Sequence, residues 1–380
     1  MKRQQPTLGG IHGILFRLRS SVSKAGHHQQ PSIWKQRPKK HKKKIIVLAF
    51  LFILGPVLAF GGEPIVKIHS KLPAAPEGLC LDSKKNLYAS MPSRNEVVLL
   101  HRDGSYQHVA WVPSKEDVGK GEIFGMEVDK DDNIYVAYVE FSNHISLGED
   151  LMNPHHPACG DVNVKKSGVY KIDEKTRKVT AVATRADGWP FCFPDDVALD
   201  KDGNIYLTDL TYSGIWKISP DGKKVSMWSD DPLINWSDPS LPMGANPIVI
   251  DRQNKNIYVA TTTMDGRIVR IPIKEDGSAG KAELISRGHT YFDGLEIDDE
   301  GYLYAAESST SINQIIVIPP NTIGWLGMTP RKVIASGDPL QGPTSIVIRD
   351  GVLYTANLAF GLPDDKKNNA VVSIENFPKR

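Results

Sequence analysis

The chain is poor in the features that would give a quick answer. It has only three cysteines in 380 residues, too few for a disulfide framework, and no C-x-x-C, so neither a zinc site nor a thioredoxin motif is supported. No Gly-x-Ser-x-Gly and no phosphate-binding glycine loop occurs, which leaves serine-hydrolase and nucleotide chemistry without support. Long helical periodicity is missing. Residues 1–62 contain no acidic residue at all, yet hold 12 of the 46 Lys+Arg. The remainder therefore sets 34 basic residues against 44 acidic ones. A basic leader is joined to an acidic body, and an acidic body argues against nucleic-acid binding.

The leader has two parts. Residues 1–44 are rich in Gln, His, Ser, Pro and Lys, end in the cluster Lys39–Lys44, and are expected to be disordered. Residues 45–60 are apolar throughout, somewhat short for a spanning helix and of the length of a signal-peptide core. Val57-Leu58-Ala59 offers a cleavage point, and the basic flank equally suits an uncleaved anchor with the tail in the cytosol. Both readings send the body out of the cytosol, secreted or lumenal in one case and membrane-attached in the other. Cys80 lies in a buried-strand pattern. Cys159 and Cys192 lie in loop-like sequence and would be able to pair in an oxidising compartment. Asn235-Trp236-Ser237 is a glycosylation sequon if the body is lumenal in a eukaryote.

What the chain does have is a repeat. A turn-like opening, an apolar alternating strand, an acidic turn and a second strand with Tyr recur six times, at Pro76–Tyr88, Phe124–Tyr135, Pro194–Tyr206, Ala245–Tyr258, Phe292–Tyr304 and Pro343–Tyr354. Each reads as a β-hairpin. A third-strand pattern trails most copies, as at Gly168-Val169-Tyr170-Lys171-Ile172 and Gly214-Ile215-Trp216-Lys217-Ile218, and leaves room for a fourth strand. Four strands per unit, six units and roughly 50 residues apiece define an all-β, six-bladed β-propeller over residues 64–375. One interval is long: the insertion from Ser142 to Lys166, with His144, His155 and His156, is expected to form a flap at one mouth and reads as a solvated loop rather than a metal site.

Aligning the copies on the turn aspartates Asp82, Asp129, Asp200, Asp251 and Asp298, with Arg349 as the exception, brings one residue five places earlier into register. Those residues are Glu77, Phe124, Asp195, Asn246, Asp293 and Thr344. The innermost strand of each blade starts near the axis, so they should form one ring. Four carry oxygen ligands. Carboxylates with an amide carbonyl, and no sulfur or imidazole, select a hard cation, and calcium tolerates such irregular ligands better than magnesium, though another divalent cation would also serve. Asp and Asn are also common turn residues, but Glu is not.

The sequence resembles the gluconolactonase/regucalcin (senescence marker protein) family, with paraoxonases and diisopropyl fluorophosphatase as more distant relatives. The resemblance covers roughly residues 64–375 and rests on Pro76-Glu77-Gly78, Pro194-Asp195-Asp196 with Asp200-x-Asp202-Gly203-Asn204-Ile205-Tyr206, Ala245-Asn246 and Phe292-Asp293-Gly294. It implies that Glu77, Asn246 and Asp293 hold one calcium, with Asp195 replacing a usual asparagine. Two departures bear on substrate. Phe193 stands where gluconolactonases commonly carry an arginine for sugar hydroxyls, and Phe124 where paraoxonases place a catalytic histidine; both give the pocket an apolar lining. The expected activity is calcium-dependent hydrolysis of a lactone or related ester, with Asp293 as base or nucleophile. Asp196, His289 and Thr344 complete the expected substrate pocket. The rival readings are a calcium-stabilised propeller that binds a ligand or protein partner without chemistry, and a strictosidine-synthase-like condensing enzyme that needs no metal.

Overall fold

The structure, a computed structural model, describes residues 63–141, 164–186, 188–237, 243–288, 290–309, 311–320, 330–360 and 362–377. The leader, the histidines of the long insertion, Cys159 and His289 lie outside the described residues. Among those described, no helix is long and apolar enough to cross a membrane.

Six four-stranded antiparallel sheets follow one another along the chain, as the repeat predicted. Their inner strands are Leu79–Leu81, Gly121–Val128, Pro194–Leu199, Ala245–Ile250, Phe292–Ile297 and Pro343–Arg349, in blades 1 to 6. Each inner strand contacts those of both neighbouring blades, so the ring is closed. The closure is made by the two ends of the body. Ile65–Lys71 forms the outer strand of blade 6 and pairs antiparallel with Ala370–Glu375.

The turn aspartate explains why each hairpin forms. Asp200 Oδ1 accepts from the amides of Asp202 (3.0 Å) and Asn204 (2.9 Å), while its Oδ2 accepts from Asn204 Nδ2 (2.8 Å). Asp82, Asp129 and Asp298 make equivalent backbone turns. The repeated tyrosine closes the hairpin from its far strand: Tyr88, Tyr206 and Tyr304 donate to Asp82, Asp200 and Asp298. In blade 6 the polarity is reversed, with Arg349 donating to the Tyr354 hydroxyl (2.8 Å).

The apolar residues pack between blades. Each neighbouring pair shares a core, such as Tyr206, Ile215 and Trp228 of blade 3 against Ile257, Val259 and Val269 of blade 4. The other five junctions are built alike. Because cohesion lies between the sheets, the axis is free to be polar.

Candidate functional site

The ring residues owe their direction to a repeated irregularity. The inner strands of blades 2 to 6 break register at their starts: Ile123/Met126, Pro194/Val197, Ala245/Ile248, Phe292/Gly294 and Pro343/Ile346. Phe124, Asp195, Asn246, Asp293 and Thr344 all fall inside these bulges. A bulge re-aims side chains that strict alternation would send into the interblade core. Glu77 enters just before the first inner strand, its amide donating to Ser90 O (3.0 Å).

The ring is drawn tight by hydroxyls that sequence reasoning did not single out. Ser90 Oγ accepts from Gly78 N (2.7 Å) and donates to Phe124 O (2.8 Å). Thr208 Oγ1 donates to Asn246 O (2.7 Å), and Thr262 Oγ1 to Phe292 O (3.0 Å). Thr344 belongs with this set. It is fully buried and its hydroxyl donates to Glu77 O (2.7 Å), which makes it a staple between blades 6 and 1. A signal was available for two of the others: the residue two places after each repeated tyrosine is Ser90, Ala137, Thr208, Ala260, Ala306 or Ala356, small in every blade. Gly78 and Gly294 also mark close approach. A Cβ on either would lie 2.5 Å from Phe124 O and 2.2 Å from Thr344 O, respectively.

Glu77, Asp195 and Asn246 are buried, and Asp293 is half-buried. Asn246 Nδ2 donates to Asp293 Oδ1 (2.7 Å) and to Thr262 Oγ1 (2.8 Å), which fixes the amide plane. Glu77 Oε2 and Asp195 Oδ2 are buried without a hydrogen-bond partner. Burial, then the charges of Asp195, Asp293 and Asp196, hold the Glu77 carboxyl well above the ordinary carboxylate range. Asp195 is raised likewise, by burial and then by Asp293 and its neighbours. Asp293 is pushed up to about 6 by burial, against the opposing hydrogen bond from Asn246. Two unpartnered buried oxygens beside a third carboxylate make ionisation of this centre costly, and among the described residues no positive charge acts on the three groups to offset it. The donor set fits a hard cation in its chemistry. Among the described residues, no three His, Cys, Asp or Glu groups form a ready-made metal cluster.

Beside the carboxylates lies an apolar wall. Phe124 and Phe193 meet at 5.1 Å between centroids, their rings tilted by 48°, and cluster with Val139 and Leu210, with Phe141 and Met243 packed against them. The chain path here is held by Asp209, fully buried, whose carboxylate accepts from the amides of Cys192 (2.8 Å), Phe193 (2.8 Å) and Tyr212 (3.1 Å). Cys192 is in a disulfide, and Cys80 is a buried free thiol.

Asp196 faces elsewhere. Its carboxylate accepts from Val197 N (2.9 Å) and Ile248 N (3.0 Å) and lines a cavity of about 1130 Å³ towards the turn side of the channel. Glu127 and Glu296 line it too, while Glu77, Asp195, Asn246 and Asp293 do not. Burial raises Asp196 and Glu127 to about 7 and Glu296 to about 8. The ring, with its unpartnered buried oxygens, is the stronger candidate for chemistry. In the cavity, one oxygen of each of Glu127 and Glu296 already accepts a backbone amide.

Fold and site together define a six-bladed propeller with a ring of carboxyl and amide side chains at one end of its channel. Comparison with known proteins narrows this. Residues 160–322 match the family model for the SMP-30/gluconolactonase/LRE-like region. A gluconolactonase of Zymomonas mobilis is 26% identical over 192 residues, 43% of this chain and 49% of that protein. The match thus spans about half the length of that relative. In structure, a gluconolactonase from Xanthomonas campestris superposes with a TM-score of 0.58 at 13% identity, over 83% of this chain and 91% of the other. A streptogramin B lyase reaches 0.52 at 11% identity, over 82% and 98%. The resemblance to the gluconolactonase family stands, in sequence over the central blades and in fold over the whole propeller. Likeness at these identities establishes fold alone, and the lyase shows that the fold does not decide the reaction.

Proposed function

We propose that the protein is a hydrolase of lactones or related esters that depends on a divalent cation, calcium by its donor set, held by Glu77, Asp195, Asn246 and Asp293. The observation that carries the reading is the pair of buried, unpartnered oxygens, Glu77 Oε2 and Asp195 Oδ2, in a ring with Asp293. The similarity to gluconolactonases supports the choice of a lactone. When bound, such a cation supplies Lewis-acid polarisation of a carbonyl oxygen.

The chain's own groups do the rest. Asp293 takes the proton of the attacking water, and Asn246, fixed by Thr262, holds the Asp293 carboxylate through Oδ1. The new bond is water oxygen to acyl carbon and the bond broken is acyl carbon to ring oxygen. The proton then passes to the departing alkoxide, giving a hydroxy acid. Phe124 and Phe193 exclude water from that side of the ring.

The test is turnover of a panel of lactones and aryl esters by the full-length protein, with calcium, with chelator, and as Asp293→Asn. Loss of about 100-fold or more in both perturbations is expected. Turnover that ignores chelation would refute the role of the metal. Tight calcium binding with no turnover would leave the non-catalytic binding propeller as the reading.

A further inference from the structure

Nine large apolar side chains are exposed among the described residues, and their distribution is uneven. Antiparallel order puts the loops after every second and fourth strand on the face where the inner strands begin, the face of the ring. Five of the nine, Val118, Trp189, Tyr212, Met264 and Phe360, stand on those loops or on the short hairpin among them. The other four, Ile65, Ile68, Tyr106 and Val333, lie on outer strands.

The apolar wall lies on the same side of the propeller as this rim. Phe124 is the ring member between Glu77 and Asp195, and Phe193 packs against it with its ring tilted. The chain leading to Phe193 passes through Trp189, 58% exposed, and Phe193 O accepts from Leu210 N, two residues before Tyr212, 51% exposed. Blades 2 and 3 therefore place an apolar cluster beside the carboxylate ring, with exposed aromatic side chains on the same stretches of chain. The side chains of Phe124, Val139, Phe193 and Leu210 offer no hydrogen bond. A hydroxyl pressed against them would lose its water without replacement, at roughly tenfold in affinity per group.

Resting on the hydrolase reading, we infer that the substrates are amphiphilic: a lactone or ester carbonyl at the ring with an alkyl or aryl substituent along Phe124 and Phe193 towards the rim, and not polyhydroxylated sugar lactones. These two phenylalanines are the specificity-determining residues. Each methylene buried along this path should improve kcat/KM about fourfold.

The experiment measures kcat/KM of the full-length protein for γ-lactones bearing no chain up to an octyl chain, and for glucono-δ-lactone. In parallel, the affinity for non-hydrolysable 2-alkylcyclopentanones of the same chain lengths is read from tryptophan fluorescence. The expected result is a steep rise over the first several carbons in both series. Phe193→Ser and Phe124→Ser should flatten it, and Phe193→Leu should restore it, which separates loss of the wall from loss of folding. A flat series, or a preference for glucono-δ-lactone, overturns the inference and leaves hydrolysis standing. No turnover on any lactone overturns the hydrolase reading, and the ketone series then decides the wall by itself: steep supports it, flat overturns it.

Discussion

Replacing Glu296 by Gln tests the electrostatics of the channel without touching the ring. Glu296 lines the cavity on the turn side, half-buried, with Oε1 accepting from Ile297 N (2.8 Å). Burial first, and then the charges of Glu127, Asp298 and Asp196, lift its pKa from 4.5 to about 8. A carboxyl raised in the folded state keeps a proton that the unfolded chain has already released. Its stabilising contribution is full below about pH 4.5 and is lost as pH rises through about 8. The full shift would correspond to nearly 5 kcal/mol, but the side chain is only half-buried and solvent screens its charge, so about 2 kcal/mol is expected. Glutamine keeps the acceptor for Ile297 and removes the titration. Urea unfolding followed by tryptophan fluorescence, for both proteins between pH 5 and 9, should show Glu296→Gln nearly equal to wild type at pH 5 and about 2 kcal/mol more stable at pH 9. A difference independent of pH, or one that favours wild type at high pH, would refute this account of the channel.

Three further outcomes follow from the geometry. Gly125→Ala places a Cβ 2.0 Å from Asp196 Oδ1 and 2.8 Å from Asp196 Cα, so it should cost about 3 kcal/mol or more by overpacking, measured as a lower urea midpoint. Asp209→Ala strands the amides of Cys192, Phe193 and Tyr212 and should cost about 3 kcal/mol; a loss of chain-length preference in the lactone series should accompany it because Phe193 is no longer held. Saturating calcium at about 100 times its Kd should stabilise the wild type by about 2.7 kcal/mol in thermal melts. In a variant carrying both Glu77→Gln and Asp195→Asn that gain should vanish, and a retained gain would put the cation elsewhere.

The repeat was legible because its signals are local. An aspartate that accepts amides two and four residues on, and a tyrosine that reaches back to it, act within one hairpin, so they recur wherever a hairpin recurs. Six hairpins, five of them with the aspartate and all but one interval of similar length, leave few architectures, and counting back from the aspartates put Glu77, Asp195, Asn246 and Asp293 in one register. The apolar character of Phe124 and Phe193 was legible for the same reason.

The sequence alone determined the fold, the number of blades and the shared register of Glu77, Asp195, Asn246 and Asp293, since each depends on contacts between residues close in the chain or on simple repetition. Tertiary structure decided the roles. Thr344 and Asp196 occupy promising positions in the alignment, yet a hydroxyl turned to Glu77 O and a carboxylate turned to Ile248 N depend on a neighbouring blade. The closing pair of strands joins Ile65–Lys71 to Ala370–Glu375 across nearly the whole body, and the bulges that aim the ring inwards are defined only against a partner strand. Local hydrogen bonding can be read along a chain, but the direction of a side chain in a propeller is set by the blade beside it.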